Sequence, residues 1–405
     1  MLSLAALLMS ITLVQLSSGG IGPLDALSGL ASGFTAAEVG LLGSAHFAGF
    51  FAGCWAAPRL MGSVGHSRAF GAFTALGAIG VIAHMLLVDP LVWAGLRVLS
   101  GFAIAGCYTV IEAWLQARLE NRTRGRVLGI YRMVDLGAGF LGQLMIGFLE
   151  PATYASYNIL GILCCATMFP LLLTTAQPPV MVAAPRLRPL AAIRLSPLAA
   201  AGVVTAGVVA SAYRMVGPLY GAEMGLGRGQ IGWFLAVGVL GGALAQLPAG
   251  WLADKMDRRR VLAMASALGV AVCLAAALLR PGEAGQVGAG PVLLAAFAFG
   301  FATYPLYSIS AAHANDFARP EEMAELSAAL LFLWGVGAIA SPLIVSTLID
   351  AFGPGVMWLY MAAAHAALLA FGLVRMRARP VPPDRTGYAY LPRTSFLLGW
   401  LMGRR

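Results

Sequence analysis

The sequence predicts an all-α polytopic membrane protein with twelve transmembrane helices in two six-helix, pseudo-symmetric halves. Three observations lead there. Hydrophobic residues fill 60% of the 405 positions and the mean hydropathy is +0.82, well outside the range of soluble domains. Apolar runs of about 20 residues, the length that crosses a bilayer as a helix, recur along the chain and are each closed by charge, glycine or proline. Segments of the first half also return in the second, at shifts of 192 and 199 residues.

The first run, 3 to 24, has no Lys or Arg before it and so lacks the basic start of a cleaved signal peptide; it reads as a retained span. Further runs cover 38 to 58, 69 to 88, 91 to 116, 126 to 149 and 154 to 175, then 198 to 220, 229 to 252, 260 to 279, 290 to 312, 323 to 348 and 355 to 374. Barrel strands would be about ten residues long and alternate in polarity, so these runs satisfy their backbones in lipid only as helices. Thr35 and Glu38 have the spacing of a capping box at the start of the second run. The segment 176 to 197, with five prolines and three arginines, reads as a cytoplasmic loop between a 1–175 bundle and a 198–374 bundle. The Pro- and Arg-rich stretch 375–405 reads as a cytoplasmic tail whose apolar end suits a membrane surface.

Charge sets the expected orientation. Loops and tail on one side carry 21 Lys and Arg residues, whereas the other side carries only Arg228 and Arg280. The positive-inside rule then places both termini in the cytoplasm. The net charge of +9 is accordingly a topology signal, with no nucleic-acid partner implied. Membrane lipid is the expected surrounding partner.

The repeat shows in particular residues. Gly33 to Gly40 aligns with Gly225 to Gly232 at a shift of 192, with Gly227 and Gln230 over the capping box. At a shift of 199, Tyr108 falls on Tyr307. Two halves of six spans each share one orientation, the arrangement whose interface forms a central substrate path.

Chemistry-bearing residues are few. Cys54, Cys107, Cys164, Cys165 and Cys273 all lie in apolar runs without metal-site spacing and read as packing thiols. His313 with Asp316 is explained by helix termination, so no metal is expected, and no cofactor. No phosphate-binding GxxxxGK[ST] occurs, so use of ATP is not expected. Five ionisable side chains sit inside spans: Arg97, Glu112, Arg132, Asp135 and Arg214. Burial of such groups is expensive, so each needs a partner or a wet cavity. At about 1.5 Å per residue, Glu112 and Arg132 reach similar depths, with Asp135 a turn deeper towards Arg97. A network of Arg97, Asp135, Arg132 and Glu112 is therefore a candidate for proton coupling, with a static interhelical ion pair as the alternative. Arg214 lacks an acidic partner at its depth; it either meets an anionic group on a substrate or snorkels to the surface. Tyr108, Tyr131, Tyr304, Tyr307, Trp334, Gln15 and Asn158 are placed to line a cavity. His46, His84 and His365, isolated in apolar runs, read as packing residues. Gly137, Gly139 and Gly142, with Gly335, Gly337 and Pro342, read as close-packing and bending points.

Between the eighth and ninth spans lies GWLADKMDRRR, Gly250 to Arg260. With the twelve spans and the basic central loop, it resembles the major facilitator superfamily of secondary transporters, whose corresponding loop has the form G-x-L-x-D-R/K-x-G-R-R. Gly250, Asp254, Lys255, Arg258 and Arg259 fit this gating motif, while Asp257 stands where a glycine is usual. The first-half counterpart, APRLMGSVGHSR, has Pro58 and Gly62 at the glycine and aspartate positions. RVLSG, from Arg97, matches the superfamily's arginine-led fourth-helix motif, and the resemblance implies a link between that arginine and proton coupling. YTVIEAWLQARLENRTRGRVLGIY and LYSISAAHANDFARPEEMAELSAALL resemble a bacterial branch whose members carry little more than the label of transporter.

The expected function is secondary active transport of a small organic solute, an organic anion or drug-like compound, by alternating access with proton coupling. A membrane sensor on a transporter fold and an uncoupled facilitator are the alternatives. An enzyme is not expected, because no nucleophile, base and orienting group share a depth.

Overall fold

The computed structural model describes residues 2–117, 124–173, 187–279, 289–319 and 322–378. Arg118, Arg122, Arg186 and Arg280, half of the expected central loop and nearly all of the expected tail lie outside the described residues.

Among the described residues the secondary structure is helical throughout, without strands. Eleven of the described helices are long and apolar enough to cross a membrane: Leu4–Ala31, Ala36–Val64, His66–Leu86, Pro90–Leu115, Tyr154–Leu172, Pro197–Glu223, Arg228–Lys255, Arg258–Ala277, Gly290–Asn315, Glu325–Phe352 and Val356–Ala378. The twelfth is Arg124–Leu144, whose 21 residues reach about 30 Å, a bilayer's hydrocarbon thickness. It falls short on composition alone, because Arg132 and Asp135 lie within it. These helices are spans one to twelve below, Arg124–Leu144 being span five.

Several termini follow from local chemistry. Thr35 accepts from the Glu38 N–H and Glu38 returns a carboxylate to the Thr35 N–H at 2.8 Å, closing the capping box of span two. Gln230 does the same for the Gly227 N–H at 2.9 Å on span eight. Span two turns into span three through Gly65 at φ 85°, a left-handed conformation that glycine adopts without steric cost. Span one runs to Ala31, seven residues past the end of its apolar run, and Pro189–Leu195 adds a short helix inside the expected central loop. Span seven widens into a π turn at Ala212–Val216. Pro218 has no N–H to return to the Arg214 carbonyl in the α pattern, which accounts for the change of register there.

The chain divides into two compact units, Met1–Ala184 and Pro185–Arg405. Each is held by glycines at backbone contact. In the first unit, a Cβ on Gly49 would fall 1.9 Å from the Val98 carbonyl oxygen, and one on Gly101 2.1 Å from that of His46, so spans two and four touch main chain to main chain. In the second, a Cβ on Gly241 would lie 2.1 Å from the Phe297 oxygen and one on Gly300 1.9 Å from that of Gly238, locking span eight to span ten. Helices in lipid gain little from apolar burial against each other, so such close approach and its dispersion contacts carry the association. Gly142 of span five approaches the Gln15 backbone of span one, and Gly337 of span eleven that of Val204 in span seven, whereas Gly137 faces open space.

Candidate functional site

Among the described residues, buried charged groups gather at three places, two in the first unit and one in the second. The first joins spans one, four and five. Asp135 accepts from the Gln15 side chain at 2.6 Å and from Arg132, one helical turn earlier, at 3.0 Å. The same guanidinium lies 3.8 Å from Glu112 on span four, and Glu112 is fully buried. Arg132 also covers the face of Tyr131, 4.8 Å from the ring centre. Tyr131 is buried and its hydroxyl has no hydrogen-bond partner among the described residues. Tyr131 and Tyr108 belong to the first unit's apolar core, beside Ile11, Val14 and Ile111. Two carboxylates thus face one guanidinium in a buried setting.

Arg97 has a partner that its run of sequence did not suggest. Its Nε lies 3.3 Å from Asp25 near the end of span one. Tyr157 of span six donates to Asp25 at 2.9 Å, and His84 Nε2 stands 3.5 Å from the same carboxylate. The His84 ring stacks on Tyr157 at 5.1 Å, and the Trp93 indole donates to the His84 carbonyl at 2.8 Å. Asp25, His84 and Arg97 are all 1% exposed or less. The expected four-member chain is therefore divided: Glu112, Arg132 and Asp135 come together, while Arg97 meets Asp25. Asp25 escaped notice because it follows the last residue of the first apolar run, although span one continues past it. His84, expected as a packing residue, stands at ion-pair distance from Asp25.

The third cluster is the basic loop between spans eight and nine. Arg258, 2% exposed, donates to the Ala312 carbonyl at 2.7 Å and to Asp316 at 2.5 Å, both at the end of span ten. Asp254, half exposed, stands 3.8 Å from the same guanidinium, a much weaker contact. Asp257, in the place of the usual glycine, caps span nine by accepting from the Arg259 N–H at 3.0 Å and from its guanidinium at 2.8 Å. Partial burial acts to raise the Asp257 carboxyl, but the hydrogen bonds and charge of Arg259 outweigh it and hold it below its ordinary value. Lys255 lies over the Trp251 ring at 4.4 Å. Gly250 is buried on span eight. Asp316 was expected only to end span ten; the hint in the sequence was that spans nine and ten begin and end on the same basic side.

Arg214 sits in the π turn of span seven, half-buried, its side chain making no ion pair or hydrogen bond among the described residues. Its neighbour Tyr213 is buried and donates to the Phe234 carbonyl. Tyr307 and Trp334 are buried, Tyr304 half-buried and packed against Gly242, and Asn158 exposed on span six. Among the described residues no group of three or more His, Cys, Asp and Glu could hold a metal ion.

A twelve-span helical bundle in two units, with charged clusters buried between spans, defines a polytopic membrane protein. The profile of the Major Facilitator Superfamily matches residues 199–401, and the chain belongs to that family. It is a transporter of that family rather than an enzyme. An uncharacterized MFS-type transporter of Yersinia pestis (strain Pestoides F) is 27% identical over 359 residues, 87% of this chain and 89% of the relative. Another, from Enterobacter sp. (strain 638), is 26% identical over 85% of this chain and 88% of its own length. Among solved structures, the nucleoside transporter NupG superposes with a TM-score of 0.75 at 14% identity, covering 93% of this chain and all of that one. A bacterial homologue of the human lysosomal transporter Spinster, in an inward-facing and unoccupied conformation, gives 0.71 at 17% identity over 99% and 96%. At these identities the two structures share the fold with this chain.

Proposed function

We propose that this chain is a proton-coupled secondary transporter of a small organic solute, working by alternating access in the inner membrane with both termini cytoplasmic. The observation that carries the coupling is the buried trio Glu112, Arg132 and Asp135, in which two carboxylates share one guanidinium. One added proton balances that trio's formal charge. A state in which Arg132 moves from Asp135 favours the protonated acid, and its return favours release. Asp135 is the carrier, since it bonds to Gln15 of span one as well as to Arg132; Glu112 is second. The test is solute-driven proton movement in liposomes, after a thermal-shift screen of the purified chain at two pH values has supplied a ligand. Asp135→Asn is expected to bind that ligand and lose coupling. Uptake by the variant that still follows a pH gradient as the wild type does removes Asp135 from the mechanism.

The solute carries an anionic group in this reading. Arg214 supports it: a cation with no partner among the described residues, held in a π turn of a membrane span, is costly unless a ligand or water meets it, and π turns recur at functional sites. Arg214→Ala is expected to weaken binding of an anionic ligand by about 10-fold or more, the scale of one charge-assisted hydrogen bond. Equal affinity in the variant sinks the assignment.

A further inference from the structure

On the basic-loop side of the second unit, the ends of four spans enclose a partly open cleft lined by Ser196, Arg259, His313, Phe317 and Arg375, among others. Ser196 precedes span seven, whose first helical residue is Pro197. Pro197 offers no N–H, the amides that follow it belong to the helix turn without intrahelical acceptors, and the dipole is positive there. Ser196 is placed to cap this end, yet its side chain makes no capping bond. The residue is 2% exposed and its Oγ has no hydrogen-bond partner among the described residues. A buried hydroxyl left unmet is costly, and Ser196 is among the residues that line the cleft.

Charge identifies the occupant's sign. Arg259 is already matched by Asp257. Arg375, in the last turn of span twelve, is half-buried and has no ion pair among the described residues. No carboxylate lines the cleft among the described residues. A helix N-terminus, an unsatisfied hydroxyl and an unmatched guanidinium thus line one cleft. Each favours an oxyanion with several acceptor oxygens.

We propose that this cleft binds a phosphate group, presented either by an anionic phospholipid or as a free phosphate. Spans seven, nine, ten and twelve all end here, at the level where lipid phosphates border the hydrocarbon, so a headgroup reaches the cleft without leaving the bilayer. Binding there ties the four span ends together on the side where the loops are basic.

The experiment uses the purified, delipidated full chain, without solute or gradient, so its outcome is independent of the transport assignment. Native mass spectrometry measures retention of phosphatidylglycerol against phosphatidylcholine, and thermal shift measures the response to inorganic phosphate against chloride at equal ionic strength. Expected is preferential retention of one phosphatidylglycerol, weakened about fivefold or more by Arg375→Gln and by Ser196→Ala, and little changed by Arg377→Gln on the exposed side of the same turn. Stabilisation by inorganic phosphate with the same variant pattern, and without phosphatidylglycerol selectivity, assigns the site to the free anion. Ser196→Ala, which removes only a hydroxyl, keeps the test readable should Arg375→Gln fail to purify. If neither ligand distinguishes wild type from Ser196→Ala and Arg375→Gln, the proposal is overturned.

Discussion

Arg258 and Asp316 face each other at 2.5 Å across the ends of spans nine and ten, each almost wholly removed from solvent. The pair links a loop motif readable in the sequence to a span end that carried no such signal. It also shifts attention from Asp254, which meets the same guanidinium at 3.8 Å from an exposed position. Removing Asp316 leaves a buried cation short of its carboxylate, a loss on the order of 3 kcal/mol. Asp316→Asn is therefore expected to lower the Tm of the purified chain clearly, and Asp254→Asn to cost under about 1 kcal/mol. Equal losses for the two would contradict this division.

Asp257 gives a pH dependence of defined sign. Its folded carboxyl titrates below the unfolded value, so the stability it contributes is present above the unfolded pKa and is lost as pH falls through the folded one. The Tm gap between wild type and Asp257→Asn is expected to stay constant near neutrality. It should close below about pH 4, where the unfolded carboxyl takes up its proton.

Asp25 and Arg97 should behave as a coupled pair. Asp25→Asn or Arg97→Gln alone strands a buried partner, while the double variant removes both charges. A double-mutant cycle by thermal denaturation is expected to give a coupling of about 1 kcal/mol or more. Additive losses would show that the 3.3 Å contact contributes nothing measurable.

Close packing offers a test in each unit. Gly49→Ala and Gly241→Ala both drive a methyl into a carbonyl oxygen of the facing span, and each is expected to cost about 1–3 kcal/mol or more. Gly137→Ala, with nothing within 4 Å of its new methyl, is expected to be neutral or to gain up to about 1 kcal/mol of helix propensity. Comparison of Tm values and of monodispersity on a sizing column checks the contrast.

Much of the fold was legible because lipid imposes one requirement on every span, a long apolar helix with its backbone satisfied internally. The capping box at Thr35 and Glu38 and its counterpart at Gly227 and Gln230 were readable because both partners lie within one turn. So was the match between Glu112 and Arg132, because rise per residue converts sequence position into depth. The pairings of Asp25 with Arg97 and of Arg258 with Asp316 were not readable. Each joins residues more than fifty positions apart, and depth along a span says nothing about which face of the helix a side chain occupies.

The sequence by itself determined the class of the protein and its internal duplication. Gly241 follows Gly49 by 192 residues and Gly300 follows Gly101 by 199, the same two shifts that revealed the repeat. Tertiary structure alone showed that these four glycines are where spans two and four, and spans eight and ten, meet at backbone contact. It also decided how the buried charges are shared out. Apolar pattern is a property of each segment and survives in one dimension, whereas the partner of a buried charge is fixed by helix rotation and by which helices are neighbours, and packing alone supplies both.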